Sequence, residues 1–214
     1  MSEKTEGRDV VVAVTGASGA VYAARLLRAL LVDGHRAHVV LSRYGRYLLH
    51  EELGWRLDEE GLADFLQRLY GEKLPAENLR QYAVNDLTSA LASGSGRMHG
   101  MVVLPCSVKT LSSIARGAAA NLIERAADVM LKERRPLVLV PRETPLNLIQ
   151  LRNMAAAAEA GAHILPAMPA FYQKPETFDD LGDFIAGRAL SLLGIEHRLF
   201  PAWTGPAGHS AEDG

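Results

Sequence analysis

The chain has 214 residues, 48% hydrophobic and 22% charged, and carries a formal net charge of −2. That length can bury one substantial core, and the slight acidity argues against a broadly basic nucleic-acid surface while leaving room for a local anion site. A lone cysteine excludes an intrachain disulfide and fits a reducing, cytoplasmic setting.

The N-terminal residues are polar, without an apolar signal core, and no apolar run approaches the roughly 18 residues of a membrane span. Residues 10–14, Val-Val-Val-Ala-Val, predict a first buried strand, and Thr15-Gly-Ala-Ser-Gly19 a tight turn. Helical spacing follows over 20–31 and stops at Asp33-Gly34. A second strand is expected over 37–41, ending at Ser42, then helices over 44–53 and 62–69. Residues 75–100 lack periodicity and predict a long loop, a feature often tied to function. Strands at 101–105, 137–140 and 164–165 then alternate with helices from Thr110, over 122–134, over 146–160 and over 178–193. Alternating apolar strands and helices predict an α/β, Rossmann-like (flavodoxin-like) three-layer sandwich with a mostly parallel sheet. One domain over 9–203 is expected, with 1–8 and 204–214 as flexible tails.

In such sheets ligands bind beyond the carboxyl ends of the strands. The Gly16-Ala17-Ser18-Gly19 turn allows tight backbone geometry, and the helix after it is expected to offer N–H groups to an anion. It matches neither G-x-G-x-x-G nor the Walker loop. Ser42 stands where a nicotinamide-binding chain would carry a carboxylate, and a hydroxyl tolerates a phosphate better. Ser18 and Ser42 are therefore either cofactor contacts or simple turn and cap residues.

Ser107 is a further hydrogen-bonding candidate; Cys106 is either a nucleophile lacking an evident base or a buried small hydrophobe. Arg125 and Lys132, seven residues apart, share a helix face. Arg142 and Glu143 follow a buried strand directly, where a guanidinium grips phosphate and a carboxylate shuttles a proton. Tyr172 can donate to a phosphate or pack, Arg188 can point to the same end, and Trp203 can lid a pocket or enter a subunit contact. Seven histidines show no H-E-x-x-H or C-x-x-C pattern, so a metal-free reaction is expected.

Thr15-Gly-Ala-Ser-Gly19, Pro105-Cys-Ser107, Asn121-Leu-Ile-Glu-Arg-Ala-Ala-Asp128, the block from Lys132 to Glu143, and Phe171-Tyr172 together closely resemble the UbiX-type flavin prenyltransferases. The resemblance runs from about Val10 to Trp203. It implies a subunit of a dodecamer that binds reduced FMN and dimethylallyl monophosphate or diphosphate. It also implies prenyl transfer to flavin N5, ring closure at C6, and delivery of prenylated FMN to a UbiD-type decarboxylase. Carried over residue by residue, it puts Gly16, Ala17, Ser18, Ser42, Ser107 and Arg125 around FMN. Glu52 becomes the carboxylate near the isoalloxazine. Lys132, Arg142, Glu143, Tyr172 and Arg188 become the prenyl-phosphate group, with Trp203 at the site mouth. Ser18, Glu52, Lys132 and Glu143 carry the catalytic roles.

One departure is Asn85-Asp-Leu87, where the family often has an aromatic after Asn-Asp. Two alternatives stay open. One is an FMN-dependent cysteine-type decarboxylase, whose characteristic turn corresponds to Pro105-Cys-Ser-Val-Lys-Thr110. The other is a non-catalytic FMN-binding subunit, which would not need the Lys132, Arg142 and Glu143 set.

Overall fold

The computed structural model describes residues 7–201. Six strands form one all-parallel sheet: β1 (Asp9–Val14), β2 (Arg36–Leu41), β3 (Leu79–Tyr82), β4 (Gly100–Cys106), β5 (Leu137–Pro141) and β6 (His163–Ile164). Their order, β3-β2-β1-β4-β5-β6, is the Rossmann order, with the switch point between β1 and β4. The helices are α1 (Ala20–Val32), α2 (Arg43–Leu53), α3 (Leu62–Tyr70), α4 (Val108–Ala115), α5 (Leu122–Lys132), α6 (Leu148–Glu159) and α7 (Phe178–Leu192).

Every residue of β4 and β5 is buried, because helices cover both sheet faces. Strand side chains alternate between those faces. Val10, Val12, Val14, Val102 and Val138 join the core with α1, α2, α3 and α7. Val11, Ala13, Met101, Val103 and Leu139 join the core with α4, α5 and α6. Arg25 of α1 ties α7 by a forked pair to Asp183, at 2.6 and 2.7 Å, and by a contact to Asp179 at 3.2 Å.

Two expectations need correction. The stretch 75–100 contains β3 and two short 3-10 turns, because Leu-Arg-Gln-Tyr is an edge strand with only Tyr82 buried. The strand expected at 164–165 is a two-residue strand one position earlier. Arg8 N–H donates to His35 Nδ1 at 3.1 Å and its carbonyl accepts from Arg36 N. Trp203 lies outside the described residues. Among the described residues no helix is long and apolar enough to cross a membrane.

Candidate active site

Three turns meet where the chain crosses over at the carboxyl ends of β1, β2 and β4. Thr15, 1% exposed, joins two of them. Its hydroxyl donates to Pro105 O at 2.9 Å and accepts from Ser107 N at 2.7 Å. Ser42 N donates to Val14 O at 3.0 Å, which brings in the third turn. Ser42 and Ser107 are N-caps: their hydroxyls accept from Gly45 N at 2.9 Å and Thr110 N at 3.3 Å. The backbone approach is close. A Cβ on Gly45 would lie 2.3 Å from Val14 O, and one on Gly16 2.6 Å from Tyr44 Cβ.

The first turn is not an open anion cup. Glu52, near the end of α2, accepts from Gly19 N at 2.9 Å and Ala20 N at 2.7 Å. The expectation of free N–H groups at the start of α1 is therefore corrected for these two; a carboxylate already meets the positive helix end. Sequence alone gave no signal for this pair, which spans 32 and 33 residues. Ser18 and Gly16 remain exposed beside it. From the far side, Arg142 Nε donates to Ser18 O at 3.0 Å, joining residues 124 apart. Its neighbour Glu143 accepts from Thr144 N at 3.1 Å. Tyr22 packs under the turn, its ring 2.6 Å from where a Gly19 Cβ would stand; Gly19 has φ +113. Burial raises the phenol pKa, with Arg142 lowering and Glu52 raising it.

Open donors exist instead at α2 and α4. The N–H groups of Arg43, Tyr44, Val108 and Lys109 occupy first-turn positions that have no intrahelical acceptor. With the Ser42 and Ser107 turns beside them, this donor set fits a phosphate monoester. Lys109 adds a positive charge, fixed by an ion pair at 3.3 Å to Glu124, whose side chain is 2% exposed. Burial opposes ionisation of Glu124, but the Ala120 N–H and Lys109 outweigh it and hold its pKa low. Thr15 and Glu124 were both missed from sequence.

Lys132, Tyr172 and Arg188 do not converge with Arg142 within one chain. Arg125, in the first turn of α5, bonds Ala92 O at 3.0 Å and Asp128 at 2.7 Å. Lys132 ends α5, exposed, 3.8 Å from Glu133. It therefore lies at the amino edge of β5, whereas Arg142 follows the carboxyl edge. Five residues of strand separate those edges by roughly 16 Å. Tyr172 and Arg188 instead line a separate cavity of about 750 Å³ beside α7. Leu87 is 48% exposed. Cys106 is wholly buried, and burial pushes its thiol up to about 12, leaving it protonated and unsuited to attack.

Flavoprotein is the family whose model matches this chain, over residues 1–190. The flavin prenyltransferase UbiX of Halalkalibacterium halodurans is 48% identical over 192 residues, covering 90% of this chain and 91% of that protein. The chain belongs to the UbiX flavin prenyltransferase family. A solved flavin prenyltransferase homologue, AnUbiX (PadA1) in complex with FMN and dimethylallyl pyrophosphate, is 40% identical with a TM-score of 0.82. That match covers 94% of this chain and 99% of the other. A dodecameric FMN-dependent UbiX-like decarboxylase from Escherichia coli O157:H7 is 38% identical with a TM-score of 0.77, covering 92% and 99%. Family membership decides between the open alternatives: the chain is a flavin prenyltransferase on a Rossmann-type sheet that lacks the dinucleotide fingerprint. Neither the cysteine-type decarboxylase nor the non-catalytic subunit is retained.

Proposed function

We propose that this chain transfers the dimethylallyl group of dimethylallyl monophosphate to reduced FMN, with N5 alkylation and C6 ring closure. Its product, prenylated FMN, goes to a UbiD-type decarboxylase. The observation that carries this reading is the Arg142–Ser18 hydrogen bond, which joins the phosphate-side pair Arg142 and Glu143 to the turn expected to face the flavin.

When bound, reduced FMN supplies the electron-rich atoms that accept the prenyl carbons. The chain's own residues do the rest. Ser42, Ser107 and the first-turn N–H groups of α2 and α4 hold the flavin phosphate, with Gly16, Ala17 and Ser18 lining the ring side and Arg125 flanking it. Glu52 clamps the Ser18 turn through two backbone N–H groups and keeps a carboxylate beside the acceptor for proton movement. Arg142 spends Nε on Ser18 O, which leaves the two terminal nitrogens of its fork for the prenyl phosphate. Glu143 donates a proton or hydrogen bond to the departing phosphate. Stabilising charge on that leaving group is the main electrostatic task.

Lys132, Tyr172 and Arg188 reach this crevice from neighbouring copies. The reading is thus a homo-oligomer, a dodecamer, in which several protomers complete each site. The separation of these residues within one chain supports it. So do the exposed apolar side chains Leu148, Ile149, Met168 and Phe171.

The deciding experiment is anaerobic incubation with reduced FMN and dimethylallyl monophosphate, then mass analysis of the extracted flavin. A gain of one C5 prenyl unit is expected. No gain with either the monophosphate or the diphosphate, with FMN bound, overturns the proposal.

A further inference from the structure

The segment after α7 is fastened to that helix by specific contacts. Ser191 Oγ donates to Gly187 O at 3.0 Å, which uses its only proton. It must therefore accept at its other contact, so His197 Nε2, 3.0 Å away, carries a hydrogen. On the other side of the ring, Leu199 N donates to Nδ1 at 3.4 Å, so Nδ1 is bare. Both contacts require the neutral imidazole with its proton on Nε2.

The ring also begins a file of aromatic contacts. His197 lies 4.9 Å from Phe200, Phe200 5.2 Å from Phe184, and Phe184 6.4 Å edge-on from Tyr172. Gly187 makes the approach possible. A Cβ there would stand 2.4 Å from Phe200 Cε1 and 2.7 Å from His197 Cε1. Glycine inside a helix is otherwise disfavoured against alanine, so close contact gives this one a reason.

We propose that His197 is a positioning residue for prenyl-phosphate binding. Its ring latches residues 195–201 onto α7 and so holds Phe200 as one wall of the cavity that contains Tyr172 and Arg188. The inference rests on the reading of that cavity as the prenyl-phosphate half-site. An aromatic wall suits an apolar five-carbon chain, and Arg188 at its side suits the phosphate.

The latch is sensitive to acid. Protonation at Nδ1 would set two donors, Nδ1–H and the Leu199 N–H, against each other. Burial and then Arg188 lower the pKa of His197, while Asp33 opposes them. Glu196 and Arg198 flank the ring in its own segment, and Arg8 and His35 face it across an adjoining cavity. Because the folded value lies below the ordinary 6.5, the latch is intact above that pH and is lost as pH falls through the lower value.

The test uses the full-length assembled enzyme with reduced FMN, and dimethylallyl monophosphate as the probe. Gly187→Ala and His197→Ala should each raise the KM for the prenyl phosphate about tenfold, with kcat and the FMN dissociation constant little changed. His197→Asn, whose side-chain oxygen can replace Nδ1 as acceptor, should recover part of the loss. It should also remove the rise in KM expected of wild type as pH falls through the lowered pKa of His197, beyond the part due to the phosphate's own titration. Gly187→Ala improves helix propensity, so it tests the latch even if His197→Ala fails to fold. Folded Gly187→Ala with wild-type KM overturns the proposal. Arg188→Ala separates the two readings. If it leaves KM unchanged, the half-site reading falls and the latch proposal with it. If it raises KM while Gly187→Ala and His197→Ala do not, the latch proposal alone falls.

Discussion

Thr15→Val isolates the bond system that holds the β1 and β4 turns together. Valine keeps the shape of threonine and removes the hydroxyl. Pro105 O would still accept from residue 15 N, now at 3.2 Å, but Ser107 N would lose its 2.7 Å acceptor. A donor left unsatisfied away from water costs about 1–3 kcal/mol. For a chain of this size each kcal/mol moves Tm by roughly 2–4 °C, so a loss near 2 kcal/mol predicts a fall of about 4–8 °C. The same change loosens the start of α4, and FMN affinity should fall as well, by up to about 30-fold if the full 2 kcal/mol appears there. Thr15→Ser is the control: it keeps the hydroxyl and deletes one buried methyl, a cost of about 0.8 kcal/mol. Thermal unfolding and FMN titration at matched protomer concentration measure both effects, since assembly makes Tm concentration-dependent. A valine variant as stable as the serine variant would refute the reasoning.

Other expectations follow from single contacts. Glu143→Gln should retain FMN and slow single-turnover prenyl transfer by about 100-fold or more, the scale of a lost general acid; a wild-type rate removes Glu143 from that role. Lys132→Ala should weaken prenyl-phosphate binding more than FMN binding, and equal losses would contradict a phosphate-side position. Asp9 is held down to about 2, chiefly by its hydrogen bond to Arg36, with His38 adding to it. A depressed carboxylate contributes stability above its ordinary 3.8 that is lost as pH falls towards 2. Unfolding curves of Asp9→Asn should therefore converge with wild type in that acid range and diverge above it; parallel curves throughout contradict the linkage. Cys106, buried with its thiol near 12, should resist an aromatic disulfide reagent at pH 8 in the native enzyme and react only on unfolding.

The layer architecture was legible because parallel strands covered on both faces must be apolar along their whole length. Gly100–Cys106 and Leu137–Pro141 show that continuously. Leu79–Tyr82 was not legible because an edge strand buries little: its Arg80 and Gln81 face outward. Ser42 was readable as a cap or a contact and Ser107 as a hydrogen-bonding contact, because each stands at the end of an apolar strand. The Glu52 clamp and the Thr15 staple were not, because their partners are brought close only by the fold.

Arg125 and Lys132 share a face, but seven residues of helix are about 10 Å long, so within one chain they stand toward opposite edges of the sheet.

By itself, the sequence determined the alternation of strands and helices, the turns that carry chemistry, and through its motifs the flavin prenyltransferase family. Local pattern is enough for those, because burial period, capping residues and motif spacing are all written within a few residues of one another. Only the tertiary structure decided which charges stand together. It set Arg142 on Ser18, Glu52 on the start of α1 and Glu124 on Lys109, and within one chain it placed Lys132, Tyr172 and Arg188 apart from that crevice. Such contacts depend on where strands end and helices begin in space, and a sheet crossover fixes that across tens of residues at once.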